Sequence, residues 1–371
     1  MFWKSKKKGK VFVGLSGGVD SAVSAALLQQ EGYEVTGVFI RIALPGYPCT
    51  AGQDKLDAMR VAAHLRIPFK EIDLSQEYQK RVFDMSIAEF SRGRTPNPDT
   101  LCNKEIKFGL FFDWCMSQGA DFVATGHYAR IVSAKPAQKK VLGSATPQPD
   151  HFSEQVLLHT ATDTEKDQSY FLWAVGETAL RKTMFPVGRL RKPEVRALAL
   201  RFGLPNAARK DSQGLCFLGP ISMDDMLRRE LTLVPGKVLD EAGEEVGTHE
   251  GVQAYTLGQR HGFVLHAQDP DTLPHFVVAK DAGRNTITVS TKKVPDTADT
   301  TVRLADVNWI GPAGDGPCTA RFRYRQKLIP AQLRGAMVTL LEPHYVPAGQ
   351  SLVLYRGERC LGGGVADTVD N

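Results

Sequence analysis

Between about Lys10 and Gly126, short β-branched runs alternate with amphipathic stretches of ten residues or more. The runs KVFVGL, EVTGVFI, FKEIDL and DFVATG predict strands, and the stretches between them, beginning with DSAVSAALLQQEG, predict helices. Strands separated by helices of this length imply a parallel sheet with crossover helices. The sequence therefore predicts an α/β fold whose ligands bind at the carboxyl ends of the strands.

The length of 371 residues predicts two or three domains, each with its own core. From about Gly236 onward, short alternating strands lie between glycine and proline turns and predict a closed or nearly closed β-barrel at the C-terminus. We predict a catalytic domain over residues 1–218, a small central linker domain over 219–292 and the barrel over 293–371. Residues 133–155 are rich in proline, glycine and lysine and predict a hairpin or a mobile insertion.

The composition restricts where such a chain works. No apolar run approaches the roughly 18–20 residues that span a bilayer, so no membrane partner is expected. The basic start lacks the apolar segment of a signal peptide, and the six cysteines form no CxxC pair, which fits a reducing cytoplasm. A net charge of +5 permits nucleic acid as a partner without requiring it.

The segment GLSGGVDS follows the first predicted strand and opens the first predicted helix. Backbone N–H groups and the helix dipole converge at such a junction and stabilise an anion. Gly17 and Gly18 allow unusual φ values and close approach, while Ser16 and Ser21 add hydroxyl donors. Asp20 either caps the helix or holds a Mg²⁺ ion on phosphate oxygens. A turn capped by serine or aspartate, without a ligand, is the alternative interpretation.

The motif SGGVDS resembles the SGG-x-DS motif of the PP-loop ATP pyrophosphatases. In that superfamily ATP is cleaved between the α and β phosphates, which gives an adenylated substrate and pyrophosphate. The loop also lacks the lysine of Walker-type phosphate loops, which argues against hydrolysis of the terminal phosphate. The motif alone does not say which group is adenylated.

Two cysteines have neighbours that suit a reactive thiol. Cys102 is predicted at the start of a helix, where the dipole, Lys104 and Lys107 would lower its pKa. Asp99, three residues earlier, either caps the turn or acts as a general acid/base. Cys216 follows Arg209 and Lys210 and lies between glycines. A buried structural role is the alternative for each thiol, but the pair favours sulfur transfer, in which one thiol carries a persulfide and the other forms a disulfide.

Eight motifs together resemble the tRNA-specific 2-thiouridylases, in the order expected of that family and over nearly the whole chain. They are GLSGGVDSAVSA, TPNPDTLCNKEIKF, ATGHYAR, KDQSYFL, FPVG, KDSQGLCFLG, YTLGQRHG and CLGGG. Members of the family thiolate position 2 of a wobble uridine with ATP, Mg²⁺ and sulfur from a protein relay. The resemblance thus implies tRNA as substrate and a sulfur-relay protein or cysteine desulfurase as partner. One departure is PGYPCT, with Cys49, in place of an acidic cluster.

The resemblance also implies roles for single residues. It implies a nucleotide site that comprises Gly14, Leu15, Ser16, Gly17, Gly18, Val19, Asp20, Ser21, Ile40 and Gly126. It implies a target base held by Asn97, Pro98 and Asp99, with Asp99 as acid/base. Cys216 would carry the persulfide, and Cys102 would be the nucleophile that closes a transient Cys102–Cys216 disulfide. Further tRNA contacts are implied at His127, Lys166, Asp167, Gln168, Arg323, Tyr324 and Gln350.

Some of these residues have simpler structural alternatives. His127 on its own suits a hydrogen-bonded core histidine at a strand end, and Asp167 could cap a helix start. Arg321, Arg323 and Arg325 alternate and are predicted to share one face of a strand, either as a solvated basic face or, with Phe322 and Tyr324 between them, as an RNA-binding surface.

Two other functions share part of this pattern. Another PP-loop enzyme, such as a ligase or an amide synthetase, would have the loop but would not need the two cysteines. A non-catalytic tRNA-binding protein with a vestigial nucleotide site would bind RNA without ATP turnover. The intact loop and both thiols favour the sulfurtransferase.

Overall fold

A computed structural model describes residues 8–47, 51–134, 155–211, 216–217, 219, 221–266, 273–294, 296 and 300–367. Cys49 and most of the predicted insertion, residues 135–154, lie outside this part. Residues 212–215 of the segment DSQGLCF, which we predict to be mobile until RNA binds, also lie outside it, as does residue 218.

The described strands are β1 (Lys10–Gly14), β2 (Glu34–Arg41), β3 (Phe69–Asp73), β4 (Phe122–Ala124), β5 (Ala129–Ala134), β6 (Gln155–Thr160), β7 (Thr183–Met184), β8 (Gly236–Leu239), β9 (Glu245–His249), β10 (Val264–Leu265), β11 (Phe276–Asp281), β12 (Thr286–Ser290), β13 (Thr300–Trp309), β14 (Gly316–Arg321), β15 (Ile329–Arg334), β16 (Met337–Leu340), β17 (Ser351–Arg356) and β18 (Arg359–Asp367). They form three sheets.

The described α-helices are α1 (Val19–Gln30), α2 (Ala51–Leu65), α3 (Ser75–Tyr78), α4 (Asp84–Ser91), α5 (Pro98–Leu101), α6 (Phe111–Ser117), α7 (Glu177–Arg181), α8 (Lys192–Arg201) and α9 (Met223–Glu230). π-Helical segments join α3 to α4 (Gln79–Phe83) and α5 to α6 (Cys102–Leu110), and short 3₁₀ turns cover Ser169–Leu172 and Val252–Ala254. Within the described residues, no helix is both long enough and apolar enough to cross a membrane.

The first sheet has the order β3-β2-β1-β4-β7, and all of its pairings are parallel, which confirms the predicted α/β fold. Alternate residues of β1 enter two different cores, because successive side chains of a strand point to opposite faces. Val11 and Val13 pack with the α1 side of the sheet. Phe12 packs on the opposite side, with the helical stretch that contains Cys102. Helices therefore cover both faces, and the strand ends remain as the place for a site.

The second sheet has the order β10-β9-β8-β12-β11 and forms a small central unit. Its core contains Val238, Val277 and Ile287, each with no exposed side-chain area. This core is separate from the cores of the first sheet.

The third sheet closes into the predicted β-barrel. Six strands follow the order β13-β16-β15-β14-β17-β18, and antiparallel pairing of β13 with β18 completes the ring. The hairpin of β5 and β6 adds to this sheet, because β6 pairs with β18. A hairpin from the first half of the chain therefore attaches the barrel to the parallel sheet.

Candidate active site

The loop after β1 forms a compact turn that opens helix α1. The Ser21 hydroxyl accepts from the backbone N–H of Ser16 at 3.2 Å and donates to the carbonyl of Gly18 at 3.1 Å. The Ser16 and Ser21 hydroxyl oxygens are 3.2 Å apart. No side chain in the described part of the chain caps α1, so the helix presents its N-terminus to this loop. The arrangement is that of an anion site made by backbone groups and two hydroxyls.

Two glycines let the chain approach itself closely at the loop. Gly17 has a φ of +76°, and a Cβ atom there would lie 2.6 Å from the backbone oxygen of Asp54. A Cβ atom at Gly126 would lie 2.7 Å from the backbone nitrogen of Ser21. Gly18 has an ordinary φ of −77°, so the need for left-handed backbone rests on Gly17. Gly126, two residues after the end of β4, therefore lies against the start of α1, and its contact with a nucleotide stays a prediction.

Asp20 does not cap α1, since the N-cap position belongs to Gly18. Its role in holding Mg²⁺ stays a prediction. Its carboxylate pairs with the Lys192 ammonium at 2.8 and 2.9 Å and accepts from the Tyr128 hydroxyl at 2.8 Å. Lys192 is the first residue of α8, so the fold brings a lysine to a loop that has none in its own sequence. Pro193 in the first turn and Gly203 after the last one, with a φ of +63°, mark the two ends of this helix in the sequence. They do not indicate that the helix packs beside the loop.

The charges beside the loop form a network that sequence analysis does not detect. The Lys192 ammonium also contacts Asp211 at 2.8 Å, and Lys166 contacts the same carboxylate at 2.8 Å. Burial raises the pKa of Asp211, but hydrogen bonds from Lys166 and Lys192 outweigh it and hold this pKa far below its usual range. The fold thus gathers two carboxylates, Asp20 and Asp211, and two lysines, Lys166 and Lys192, beside the loop.

Residues 206–209 hold the loop from the other side. The Asn206 amide donates to the carbonyl of Gly17 at 2.7 Å, and Arg209 donates to the same oxygen at 3.3 Å. Arg209 is also ion-paired with Asp54 and Asp57. The expectation that Arg209 is a cation beside Cys216 is therefore wrong, because its guanidinium is engaged at the loop.

The two predicted thiols lie side by side although 114 positions separate them in the sequence. The Sγ atoms of Cys102 and Cys216 are 3.6 Å apart, and both cysteines are free. Cys102 has no exposed area, whereas Cys216 is partly exposed. The carbonyl of Cys216 accepts from the Tyr78 hydroxyl at 2.8 Å, and its N–H donates to the carboxylate of Asp99 at 3.4 Å. The pair could form a disulfide after only a small movement.

The electrostatics of the two thiols differ from the sequence-based expectation. Burial, followed by the hydrogen bond with Cys216, raises the pKa of Cys102 well above its usual range. The hydrogen bond from Cys102 and the charge of Lys107 lower the pKa of Cys216 to about 7, against the effect of burial. The prediction of a helix dipole that activates Cys102 is wrong, because the helix begins four residues earlier at Pro98 and encloses this thiol. Cys216 is the more acidic thiol.

The helix start that precedes Cys102 also forms part of a pocket. Asn97 caps it and accepts from the N–H of Thr100 at 3.1 Å, so the cap is Asn97 and not Asp99. The pocket has a volume of about 230 Å³, and parts of all three units line it. It contains the predicted base contacts Asn97, Pro98 and Asp99, together with Gln350 from the barrel. The volume is below the roughly 300–1,000 Å³ of most small-molecule sites, which suits a single base.

Asp99 connects this pocket to the thiols, because its carboxylate lines the pocket and accepts from Cys216. Burial raises the pKa of Asp99, although the charge of Lys107 opposes the shift. A raised pKa favours the protonated carboxyl group, which is the form that a general acid requires. Its geometry is compatible with the predicted acid/base role.

His127 has the environment of a core histidine. Its Nδ1 lies 2.7 Å from the Thr125 hydroxyl, and its ring packs on Phe108 and Phe185. Burial and the charge of Lys107 move the pKa of His127 well below its usual range, so the imidazole is neutral. Contact with nucleotide or RNA stays a prediction.

The segment EKDQ is held by hydrogen bonds within the protein. The buried Asp167 accepts from the N–H groups of Ala161 and Ser169 and pairs with the buried Arg321. Gln168 exchanges two hydrogen bonds with the backbone of Tyr128, at 2.8 and 2.9 Å. These contacts give Asp167 a structural role in a buried ion pair, but the alternative of a helix cap is wrong, because the N-cap of the turn Ser169–Leu172 is Gln168. RNA contact by Lys166, Asp167 and Gln168 stays a prediction.

The arginine row of RFRYRQ does not share one face of a strand, so that prediction is wrong. Strand β14 ends at Arg321, whose side chain points inward to Asp167, and the chain then turns. Arg323 donates to the carbonyl of Leu257, and Arg325 has a φ of +60° and donates to that of Glu165. Phe322 is buried in the barrel core. Tyr324 packs on Phe171 at a ring distance of 4.7 Å and stays a predicted RNA contact together with Arg323.

Within the described residues, no group of three or more histidine, cysteine, aspartate or glutamate side chains is arranged to hold a metal ion. Asp20 is one carboxylate at the anion site. A single carboxylate together with substrate phosphates is a usual way to bind Mg²⁺.

Three family models match the chain in succession. A tRNA methyl transferase HUP domain matches residues 9–220, a tRNA methyl transferase PRC-barrel domain matches 224–291, and an aminomethyltransferase beta-barrel domain matches 299–366.

Curated relatives match over almost the full length. A tRNA-specific 2-thiouridylase MnmA of Bordetella avium (strain 197N) is 41% identical and covers 97% of this chain and 98% of its own. A tRNA-specific 2-thiouridylase MnmA 2 of Geobacillus kaustophilus (strain HTA426) is 40% identical, with 99% of this chain and 96% of its own covered.

Solved structures give weaker similarities. A 4-thiouridine synthetase–RNA complex with bound ATP is 15% identical, covers 60% of this chain and 50% of its own, and has a TM-score of 0.34. An NMN synthetase from Francisella tularensis is 16% identical, covers 59% and 71%, and has a TM-score of 0.32.

Proposed function

Because this chain belongs to the tRNA-specific 2-thiouridylase family, we propose that it adenylates O2 of a tRNA wobble uridine with ATP and replaces that oxygen with sulfur from Cys216. The products are 2-thiouridine, AMP and pyrophosphate. The observation that carries the proposal is the pair of free thiols, 3.6 Å apart, beside a pocket that holds Asp99.

One helical stretch connects the two chemical centres. Cys102 contacts Cys216, and Phe111, nine residues later, lies 3.6 Å from the position of a Cβ atom on Gly14 at the end of β1. The thiols and the loop therefore lie at opposite ends of the segment Cys102–Leu110. This separation leaves room for a nucleotide at the loop and a base near the thiols.

ATP binds at the loop from Gly14 to Ser21, with Ile40 and Gly126 beside it. The N-terminus of α1 and the hydroxyls of Ser16 and Ser21 stabilise the phosphates. Lys192 provides the positive charge that the loop itself lacks. Asp20, together with the phosphates, would hold a Mg²⁺ ion, and that ion would supply positive charge to the departing pyrophosphate. Adenylation converts O2 into a leaving group.

Sulfur transfer then uses both thiols. Cys216 receives a sulfur atom from the donor and becomes a persulfide. Its terminal sulfur attacks C2 of the adenylated uridine and expels AMP, which leaves Cys216 joined to the base through two sulfur atoms. Cys102 attacks the Cys216 sulfur, forms the Cys102–Cys216 disulfide and releases 2-thiouridine, and an external thiol reductant restores both cysteines.

The remaining assignments belong to the same proposal. We propose the domain limits 1–218, 219–292 and 293–371, with the barrel contacting tRNA, and the three family matches support this division. The partner that loads Cys216 is a sulfur-relay protein or a cysteine desulfurase, and the enzyme works in the cytoplasm. His127, Lys166, Asp167, Gln168, Arg323, Tyr324 and Gln350 are the proposed tRNA contacts.

Serine replacement of each thiol tests the proposal. Cys216→Ser and Cys102→Ser should each lose at least a thousandfold in formation of 2-thiouridine and retain ATP-dependent pyrophosphate release with tRNA, because neither thiol touches the loop. Cys115→Ser is the matched control, since Cys115 is a buried thiol of the same helical stretch that lies in the core. Full thiolation by both variants would contradict the proposal.

A further inference from the structure

Lys107 lies among several groups that can become negative. Cys102 precedes it in the same π-helical segment, Asp99 lies in α5, Tyr78 comes from α3, and Cys216 approaches from the far side. The charge of Lys107 acts on Asp99, Cys102 and Cys216. Because the site is buried, charges interact strongly there. The position of the Lys107 ammonium therefore determines which of its neighbours carries a negative charge.

The π-helical geometry explains how Lys107 comes to face the thiols. In an α-helix of 3.6 residues per turn, a residue five positions after Cys102 would lie about 140° around the axis. A π-helix bonds each residue to the fifth one along and has a wider turn. Positions 102 and 107 therefore fall on the same side of the Cys102–Leu110 segment.

Lys107 contacts the segment of Cys216 in two ways. Its ammonium hydrogen-bonds the Cys216 thiol, and it lies 5.8 Å from the ring centroid of Phe217. Phe217 has a φ of +68°, and its ring also packs edge-on against Tyr78 at 5.9 Å. These contacts fix the sulfur of Cys216 next to a positive charge.

The neighbouring groups cannot replace this charge. His127 is neutral, since burial and Lys107 itself lower its pKa. Lys104 is exposed and lies 3.7 Å from Glu105, so its charge is directed away from the thiols. It does not lower the pKa of Cys102, which burial raises. Burial lowers the pKa of Lys107, but its interactions with the thiol pair and Asp99, of which the one with Cys216 is the largest, outweigh burial and raise this pKa.

We propose that Lys107 is a positioning residue that holds the Cys216 sulfur as an anion, first as the thiolate and then as the persulfide, while Cys102 stays protonated. The persulfide part rests on the proposed function, whereas the thiolate part does not. Once the persulfide has bonded to the base and lost its charge, the same ammonium favours the thiolate of Cys102. The Cys102 proton then ends on the released 2-thiouridine.

The test is the pH dependence with which iodoacetamide alkylates Cys216 in the full-length protein, without ATP or tRNA, followed by mass spectrometry of the Cys216 peptide. The wild type should show a midpoint near pH 7. Lys107→Met should move the midpoint to about 8.5 or above and slow alkylation at pH 7 roughly tenfold. Lys107→Arg should restore the low midpoint, and Lys104→Met, which removes an exposed lysine of the same segment, should leave it unchanged.

Two outcomes would overturn the proposal: a midpoint near 7 in Lys107→Met, or equal shifts in Lys107→Met and Lys107→Arg. Lys107→Gln, with circular dichroism to confirm the fold, repeats the test if the methionine variant does not fold. Loss of thiolation activity with a normal alkylation profile in all variants would count against the proposed function and not against this role of Lys107.

Discussion

The loop between β1 and α1 and the thiol pair lie in one domain but differ in how they handle charge. At the loop, Lys192, Lys166 and Asp211 are partly exposed and already paired with one another. At the thiols, Cys102 is fully buried, and Lys107 faces two sulfurs and a carboxyl group. The first site suits a ligand that brings several negative charges at once, and the second suits a single negative charge that moves between atoms.

This difference predicts how each site responds to change. The loop depends on close backbone approach, so it should be sensitive to any added side-chain atom and insensitive to pH near neutrality. The thiol site depends on one proton and one cation, so it should respond to pH and to charge.

The largest effect on pyrophosphate release is expected at Gly17. Gly17→Ala places a Cβ atom 2.6 Å from a backbone oxygen, and pyrophosphate release should fall more than a hundredfold because the loop must move. Gly119→Ala is the matched control, since its φ is +85° and nothing lies within 4 Å of the new atom. Both variants carry a backbone cost of about 1 kcal/mol. Equal rates of pyrophosphate release by Gly17→Ala and Gly119→Ala would contradict a role of this loop in ATP cleavage.

A smaller effect is expected at Lys192. Lys192→Met leaves Asp20 without its ion-pair partner and removes a charge beside the phosphates, so KM for ATP should rise about tenfold to a hundredfold. Lys166→Met removes the other lysine of Asp211 and does not contact Asp20, so its KM for ATP should stay within about twofold. Steady-state kinetics with varied ATP measures this difference. A similar KM for ATP in both variants would contradict the proposed interaction of Lys192 with the phosphates.

The pH dependence should separate the two sites. Persulfide formation at Cys216 by inorganic polysulfide should rise roughly fivefold from pH 6 to pH 7 and only about twofold above it, because the thiolate is the nucleophile and its pKa is about 7. KM for ATP should stay flat over this range, since the pKa of Asp211 lies far below it. A rate that keeps rising to pH 9 would assign Cys216 an ordinary thiol pKa.

A modest effect is expected in the pocket beside the thiols. Gln350→Ala removes a polar group from the pocket wall, while the Tyr170 hydroxyl keeps the carbonyls of Phe322 and Ser351 as partners. KM for tRNA should rise about threefold to tenfold, with KM for ATP unchanged. A change in ATP kinetics alone would place Gln350 outside the base site.

The sequence predicts the features that depend on local pattern. The strand runs, the helix with Pro193 and the barrel follow from periodicity and turn residues, and the structure has them. Lys192, Asn206 and Arg209 reach the loop from far along the chain, and only tertiary packing places them there. The failure of the arginine row has a local cause, because β14 ends at Arg321 and alternation does not continue through a turn.

The low pKa of Cys216 is also a tertiary property. Its hydrogen bond from Cys102 and the approach of Lys107 depend on a π-helical segment that no propensity indicates. Burial reverses the effect expected of a helix start on Cys102.

The central claim is tested most directly by mixing the protein with unmodified substrate tRNA, ATP, Mg²⁺ and inorganic polysulfide, and measuring 2-thiouridine by mass spectrometry of the nucleosides. The account predicts that 2-thiouridine and AMP form together and that both require ATP and tRNA. ATP-dependent pyrophosphate release that modifies the tRNA without incorporating sulfur, or no pyrophosphate release with any sulfur source, would contradict it.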